Sequence, residues 1–437
     1  MEPSVRRLGK GPWWAFFSHS PSARGPGADF LCGLAWLAWL AVLLGGSFLL
    51  LDAHVGVFAA FVALTLVTST VIPDPGDSGW PYFVHLVMPF AAVKGLQEGG
   101  VWVWMNVYFT FVLLPALDLV VGVDLHNKEE EEYKPLQKRR VFQAATLSFV
   151  PAQLALLAYS AVVVNSPEVL DRLSGWELLG YFVSVGMYTG GMGICVSHEL
   201  VHKHTKLEQW LGRWVCVVIS YGHFYVEHNR GHHKQVATDE DPATARFGES
   251  FWLFLPRCVL GSLLSAWELE VDRCKDRNLP WWHNEMLWYW TASSALCATL
   301  TAFCGPKTVP FFLVQSLVGI LLFESVNYLE HYGLERKRLE GAKHEPVAFE
   351  HSWESPHRMT NMVLFKLQRH GDHHVNPGRR YQTLRFKDES PQLPMGYPAC
   401  MLLAMIPPLW RTVLHPRLLS HRRRHEGRVW RHGPTGF

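Results

Sequence analysis

The sequence predicts an all-α, polytopic integral membrane protein: a six-helix core, an additional N-terminal helix pair, and a cytoplasmic histidine-rich helical cap holding a metal site. Three observations carry that expectation. Of 437 residues, 49% are hydrophobic and only 18% charged, with 19 Trp and 25 Phe, which is too apolar for an ordinary two-domain soluble enzyme. Apolar runs near the ~20 residues needed to cross a bilayer recur along the chain. The 23 histidines lie mostly after residue 197, in tight clusters.

Taken in order, residues 1–29 form an arm carrying Arg6, Arg7, Lys10 and Arg24. It has no compact apolar core with a small-residue cleavage site, so a cleaved signal peptide is not expected. The runs 30–51 and 55–72 make the additional transmembrane pair, 30–72. The main membrane domain, 73–415, contains apolar runs at 101–123, 141–164, 177–197, 284–304 and 309–327. "WPYFVHLVMPFAAV", 80–93, is shorter and holds Pro81 and Pro89, but extends to Leu96.

Lys and Arg near the span ends orient the chain. They concentrate in the N-terminal arm and in "NKEEEEYKPLQKRR", 127–140, while "NSPEVLDRLSG" and "CGPKT" are poor in them. Both basic segments are therefore placed in the cytoplasm. An even number of crossings must separate them, which makes 80–96 a fourth span. The count then returns to the cytoplasm by 197, keeps a long cytoplasmic stretch to 283, and ends with a cytoplasmic C-terminal region. "YPACMLLAMIPPLW", 397–410, is too short to cross and is expected at the interface. Residues 416–437 read as a basic, disordered tail able to touch anionic lipid.

Net charge is +2 with histidine neutral, which gives no reason to expect nucleic acid. No two of the eight cysteines form a C-x-x-C pair, so neither a disulfide framework nor a cysteine metal site is encoded.

The chemistry lies in the histidines: His198 and His202 in "HELVHK"; His228, His232 and His233 in "EHNRGHH"; His331 in "NYLEHYGL"; His370, His373 and His374 in "QRHGDHH". Helical residues four apart share a face, so 198 with 202, 228 with 232, and 370 with 374 can each offer two imidazoles to one metal. The neighbouring His233 and His373 then reach a second metal. "HELVH" alone fits a zinc protease, in which three protein ligands and a water bind the ion and the glutamate is general base. That scheme leaves three further clusters without a use. A histidine-rich metal transporter is the other class weighed; it would place ionisable residues near the membrane midplane, and few are found there. Isolated histidines (His54, His85, His126, His283) are read as ordinary polar residues, and His204, His223, His351 and His357 as surface groups or supports of the clusters.

These clusters, together with "VATDEDPATARFGES", "LPALDLVVGVDLHN", "HSWES" and "GYPACMLLAMIPPLW", resemble the integral-membrane non-haem diiron alkane 1-monooxygenases over roughly residues 100–415. The first two boxes would also suit membrane desaturases; "NYLEHYG" and "LQRHGDHH" make the likeness specific. Val201, Gly371 and Glu354 depart from the usual residues, and none is a presumed ligand. The resemblance implies two non-haem irons held by the nine histidines, with O2 as co-substrate and hydroxylation of the terminal methyl of medium-to-long n-alkanes drawn from membrane lipid. It also implies electrons from rubredoxin and an NADH-dependent rubredoxin reductase, and a bacterial inner membrane with the metal on the cytoplasmic side. A desaturase or hydroxylase of fatty-acyl or alkyl-aromatic compounds is the alternative.

A metal-bound imidazole usually donates its other N–H to a carboxylate or carbonyl. Glu199, Glu227, Glu330, Asp239, Asp241, Asp372 and Asn327 are the candidates, with plain surface salt bridges as the competing reading for the acids. Arg336, Lys337, Arg379 and Arg380, with Arg338, are expected to dock an acidic electron carrier.

Overall fold

The computed structural model describes residues 79–424; the expected arm at 1–29, the helix pair at 30–72 and the last part of the tail, 425–437, lie outside the described residues. Among the described residues the regular structure is helical, and no strand forms beyond three isolated bridges. In chain order the principal helices are α1 (Val87–Glu98), α2 (Gly100–Val121), α3 (Glu130–Lys138), α4 (Arg140–Val163), α5 (Gly175–Val201), α6 (Lys206–Val218), α7 (Phe251–Asp276), α8 (Glu285–Cys304), α9 (Thr308–His331), α10 (His370–Val375), α11 (Tyr397–Ala404) and α12 (Pro407–Arg424).

Four of these, α2, α4, α5 and α9, are long and apolar enough to cross a membrane. The other two stretches expected to cross are helical as well: 80–98 as a 3-10 turn leading into α1, and 284–304 as α8. The start of α5 is set by a reciprocal cap, in which the Ser174 hydroxyl accepts from the Glu177 N–H (3.3 Å) and the Glu177 carboxylate accepts from the Ser174 N–H (2.8 Å), satisfying two orphan donors at once.

Packing inside the bundle uses small residues and buried amides, because lipid offers helices no hydrophobic reason to associate. A Cβ on Gly190 of α5 would lie 2.1 Å from the Gly319 Cα of α9, so only glycine permits this approach. The Gln315 Oε1 of α9 accepts from the Thr189 hydroxyl at 2.6 Å, and its amide donates to the Val218 carbonyl at 2.9 Å. Gln153 of α4 donates to the Thr189 carbonyl at 2.8 Å. These bonds fix α4, α5, α6 and α9 against one another. They thereby fix the ends of α5 and α9, where His198 and His331 stand.

One expectation is corrected and another stretch gains detail. The stretch to residue 283 contains the 26-residue helix α7, whose outer face exposes Trp252, Leu253, Leu260 and Leu264. Charges at its C-terminal end kept it from reading as a membrane element. The tail expected to be disordered from 416 continues as helix through Arg424, because Leu414, Leu418 and Arg422 of α12 are buried and Arg422 donates to the Gly333 carbonyl at 2.7 Å.

Candidate metal centre

Four separate pieces of chain bring the nine clustered histidines together. His198 lies in the last turn of α5 and His202 caps its C-terminus; His228 and His232 bound a π turn that His233 follows; His331 is the last residue of α9; His370, His373 and His374 line α10.

The ring nitrogens form two groups. In the first, His198, His202, His228 and His373 each offer a ligand atom, all within 4.8 Å of one another; in the second, His232, His331, His370 and His374 do the same. His233 stands between them, its Nε2 3.1 Å from the Nε2 of His228 and 3.3 Å from that of His373, with its ring 4.5 Å from the ring of His374. The pairs 198 with 202 and 370 with 374 share a group, as their spacing suggested. The pair 228 with 232 does not. Residues four apart sit one above the other on a helix face, and these two rings stack nearly parallel at 5.3 Å, so their tips reach different groups. His373 correspondingly joins His198 and His202.

The set has the chemistry of a metal site. Burial, reinforced by neighbouring imidazoles, holds His202, His228, His233, His370, His373 and His374 well below the usual imidazole pKa, so their lone pairs are free near neutral pH. Facing Nε2 atoms lie 2.9 Å apart in the pairs His202–His228 and His370–His374, and the buried Nε2 of His198 has no hydrogen-bond partner. Neutral imidazoles converging in this way fit iron, zinc or copper.

Neighbouring groups fix the rings. The Nδ1 of His232 lies 3.0 Å from Asp241 Oδ2, and that carboxylate also accepts from the Thr244 hydroxyl at 2.6 Å. Burial would lower the His232 pKa, but Asp241 and Glu227 leave it raised. His331 Nδ1 donates to the His351 carbonyl at 3.1 Å, a support no side-chain search would find. Glu330 was expected behind a ring; instead its Oε2 lies 3.1 Å from His370 Nε2, the nitrogen facing His331 and His374, while its Oε1 accepts from the Tyr397 hydroxyl at 3.0 Å. It therefore faces the converging ring nitrogens rather than the back of a ring. Glu227 is buried, its carboxyl pushed up to about 8 by burial and by Asp241. Its unpartnered Oε1 lines a water-sized cavity with Tyr221, His223, Phe224 and Asn327, against His228 and His232.

The remaining candidates work at one remove. Glu199 pairs with Lys203 at 3.0 Å and accepts from the Tyr381 N–H at 3.3 Å. Asp372 holds Arg379 (2.8 Å), the Arg385 N–H (2.9 Å) and Asn376 (2.9 Å) rather than an imidazole. Asp239 is exposed. Among the basic residues, Lys337 and Arg338 are exposed, Arg380 pairs with Glu208 at 2.9 Å, and Arg336 is buried, donating to the Lys234 and Glu345 carbonyls at 2.7 Å. Arg336 is thus an internal clamp, because carbonyl oxygens rather than solvent surround its guanidinium.

Two features escaped the sequence reading. Glu324 is buried within α9 and hydrogen-bonded to the Tyr221 hydroxyl and, at 3.3 Å, to Asn327; an acid inside the run "LLFESVNY" was the available signal. Glu345, Glu350 and His351 also come together. There His351 Nδ1 accepts from the Ala348 N–H (2.9 Å), so its Nε2 keeps the proton and gives it to Glu345 (3.1 Å), and a metal is not needed to explain the group.

The profile of the fatty acid desaturase family matches residues 174–418. An alkane 1-monooxygenase 2 of Pseudomonas aeruginosa is 41% identical over 330 residues, 75% of this chain and 87% of the relative. Another, from Alcanivorax borkumensis, is 39% identical over 353 residues, 78% of this chain and 90% of the relative. More distant is the hydroxylase component of a xylene/toluene monooxygenase from Pseudomonas putida, 25% identical over 338 residues, covering 75% of this chain and 86% of the relative.

Proposed function

The chain belongs to the alkane 1-monooxygenases, membrane oxidoreductases that hydroxylate alkanes, and from that premise we propose that it converts the terminal methyl of medium-to-long n-alkanes to the primary alcohol at a pair of irons. The reaction consumes alkane, O2, two electrons and two protons and yields 1-alkanol and water. The observation that carries the reading is the convergence of eight histidine rings in two groups of four, with His233 between them, beside the ends of the apolar helices α5 and α9.

The iron pair, bound by His198, His202, His228, His232, His233, His331, His370, His373 and His374, would supply the O2 activation that no side chain can. The protein's own part is positional. Burial keeps six of the imidazoles neutral. Asp241 and the His351 carbonyl hold the tautomers of His232 and His331, which strengthens ring nitrogens as ligands. Glu330 lies where a carboxylate would join the histidines around one ion. Because alkane is already concentrated in the bilayer by the hydrophobic effect, the substrate is taken from lipid.

Electrons come from rubredoxin, reduced by an NADH-dependent rubredoxin reductase, at the exposed Lys337 and the partly exposed Arg379 and Arg380. The enzyme sits in a bacterial inner membrane with the metal toward the cytoplasm. Charge reversal at Arg379 and Arg380 should flatten the salt dependence of electron transfer. An unchanged dependence moves the docking site elsewhere.

The deciding test is elemental analysis of the full-length purified protein beside a His373→Ala variant, with product analysis on octane, p-xylene and acyl lipid. Two irons per chain, reduced in the variant, together with 1-octanol support the reading. One zinc indifferent to His373 refutes it. The similarity to a xylene/toluene hydroxylase component makes an alkyl-aromatic substrate the second reading, which a benzylic alcohol as the dominant product would favour.

A further inference from the structure

Helix α7 carries no histidine, although its Glu270 pairs with Arg230 of the π turn that bears His228 and His232, and its outer side presents a continuous apolar stripe. Its inner side is Phe251, Phe254, Cys258, Ser262 and Ala266, all buried. Its outer side exposes Trp252 (51%), Leu253 (69%), Leu260 (60%), Leu264 (62%) and Trp267 (36%). Charge begins only at Glu268, and Asp272, Lys275 and Asp276 follow on the exposed side. Sixteen residues of helix, about 24 Å at ~1.5 Å per residue, therefore carry apolar side chains outward without a charge among them on that side, since Arg257 turns in to Glu249 (2.7 Å) and to the Pro242 and Thr244 carbonyls (both 3.1 Å).

The contacts of α7 fix its direction. α8 and α9 form an antiparallel hairpin joined at 305–307, so the start of α8 and the end of α9 are at the same end of the hairpin, the end that bears His331. The first turn of α7 packs on Tyr328 near that end: the rings of Phe251 and Phe254 lie 5.7 and 5.3 Å from it. Cys258 meets Glu324. Ala266 packs with Met286 and Tyr289 in the first turns of α8, and Glu270 accepts from the Glu285 N–H at 2.7 Å. The helix therefore starts and finishes at one level. Its deepest contact, Glu324, is seven residues from the end of α9, about 10 Å along the axis at ~1.5 Å per residue. Trp267 stacks on Trp290 of α8 at 5.5 Å and 5°, and Trp281 and Trp282 between α7 and α8 are 70% and 62% exposed, the composition of a membrane–water boundary.

We propose that α7 lies in the plane of the membrane, in the leaflet on the histidine-bearing face, with Leu253, Leu260 and Leu264 in contact with acyl chains and Asp272 and Lys275 in water. Its depth is that of an interfacial amphipathic helix, whose apolar face sits ~5–10 Å into the headgroup–acyl boundary. Ser262, on the opposite side from Leu260 and Leu264, lines the cavity that touches His228 and His232. One helix thickness then separates lipid from the metal-side cavity.

The test is photocrosslinking of the full-length protein in phosphatidylcholine vesicles, with p-benzoyl-phenylalanine introduced in turn at 260, 264 and 272. Leu317 on α9, 65% exposed, serves as the bilayer-facing control. Lipid adducts, read by intact mass, are expected at 260 and 264 at the level of the 317 control and about tenfold above 272, as a helix half-sunk in the boundary requires. Adducts at 260 and 264 at the level of 272 would overturn the proposal. So would crosslinks of twice the chain mass at those positions, which would mean that a second copy covers the stripe.

Discussion

Gly371 lies between two metal-ligand candidates, His370 and His373, and a methyl group there has nowhere to go. A Cβ would stand 2.4 Å from the Ser390 hydroxyl, 2.8 Å from Glu354 Oε1 and 3.0 Å from the Phe349 carbonyl. The Ser390 hydroxyl and Glu354 Oε1 are 3.1 Å apart, and Ser390 also donates to the Phe349 carbonyl at 2.8 Å. For Gly371→Ala, better helix propensity contributes about 0.5–1 kcal/mol in favour. Against it stand overpacking of about 1–3 kcal/mol and about 1 kcal/mol for a disturbed buried hydrogen bond. The net is a loss of about 1–3 kcal/mol, carried by the short helix that supplies His370 and His374 to one group and His373 to the other. Since 1.4 kcal/mol is a tenfold change in an equilibrium constant, metal retention should fall about fivefold or more, together with hydroxylation. Metal per chain after dialysis against a weak chelator, beside thermal unfolding of the loaded protein, measures this. Because Ser390 is the nearest obstacle, Ser390→Ala should recover part of the loss, a coupling a double-mutant cycle reads directly. Full metal content and an unchanged unfolding temperature in Gly371→Ala would refute the reasoning.

Other outcomes follow from the same geometry. Asp241→Asn, which weakens the acceptor on His232, should lower metal affinity about 10–100-fold, whereas Asp372→Asn acts only through Arg379 and the chain after α10 and should cost less; the reverse order in metal titrations would contradict the assignment. Glu354 is held protonated, its carboxyl raised by burial to about 8 from the ordinary 4.5. The folded state therefore binds the extra proton, stability should fall as pH rises from about 4.5 to about 8, and Glu354→Gln should remove that component from pH-dependent unfolding curves. Six imidazoles have the opposite sign: with their folded pKa values well below 6.5, the unfolded chain binds more protons in acid, so the metal-free protein should lose stability as pH falls below about 6.5. A flat stability between pH 7 and 5 after chelation would show that the rings are solvated.

Much of this was legible because it depends on spacing along the chain. Bilayer-length apolar runs located α2, α4, α5 and α9, and four-residue intervals marked His198 with His202 and His370 with His374 as partners. What depends on tertiary approach was not legible. The separation of His228 from His232 is decided at the tips of two stacked rings, and the burial of Arg336 by three carbonyls from other segments. Gly371 and Glu354 stood out as unusual residues, but only the fold sets them against each other, so that a Cβ on Gly371 would lie 2.8 Å from Glu354 Oε1. α7 was hidden because its apolar stripe is one-sided and its last third carries Glu268, Glu270, Asp272, Arg273, Lys275 and Asp276; no bilayer-length window survives such a composition.

The dispersal of the nine histidines over four segments also has a consequence for how the protein is made. When α5 has entered the membrane, His198 and His202 stand alone; the π turn with His228 and His232 follows, then His331 at the end of α9, and α10 emerges from the ribosome last of the four. Each group takes at least one ligand from α10. Neither can close until Val375 has been synthesised, by which time all four long apolar helices have been made. A complete site therefore follows the four long apolar helices in the order of synthesis and cannot guide their insertion.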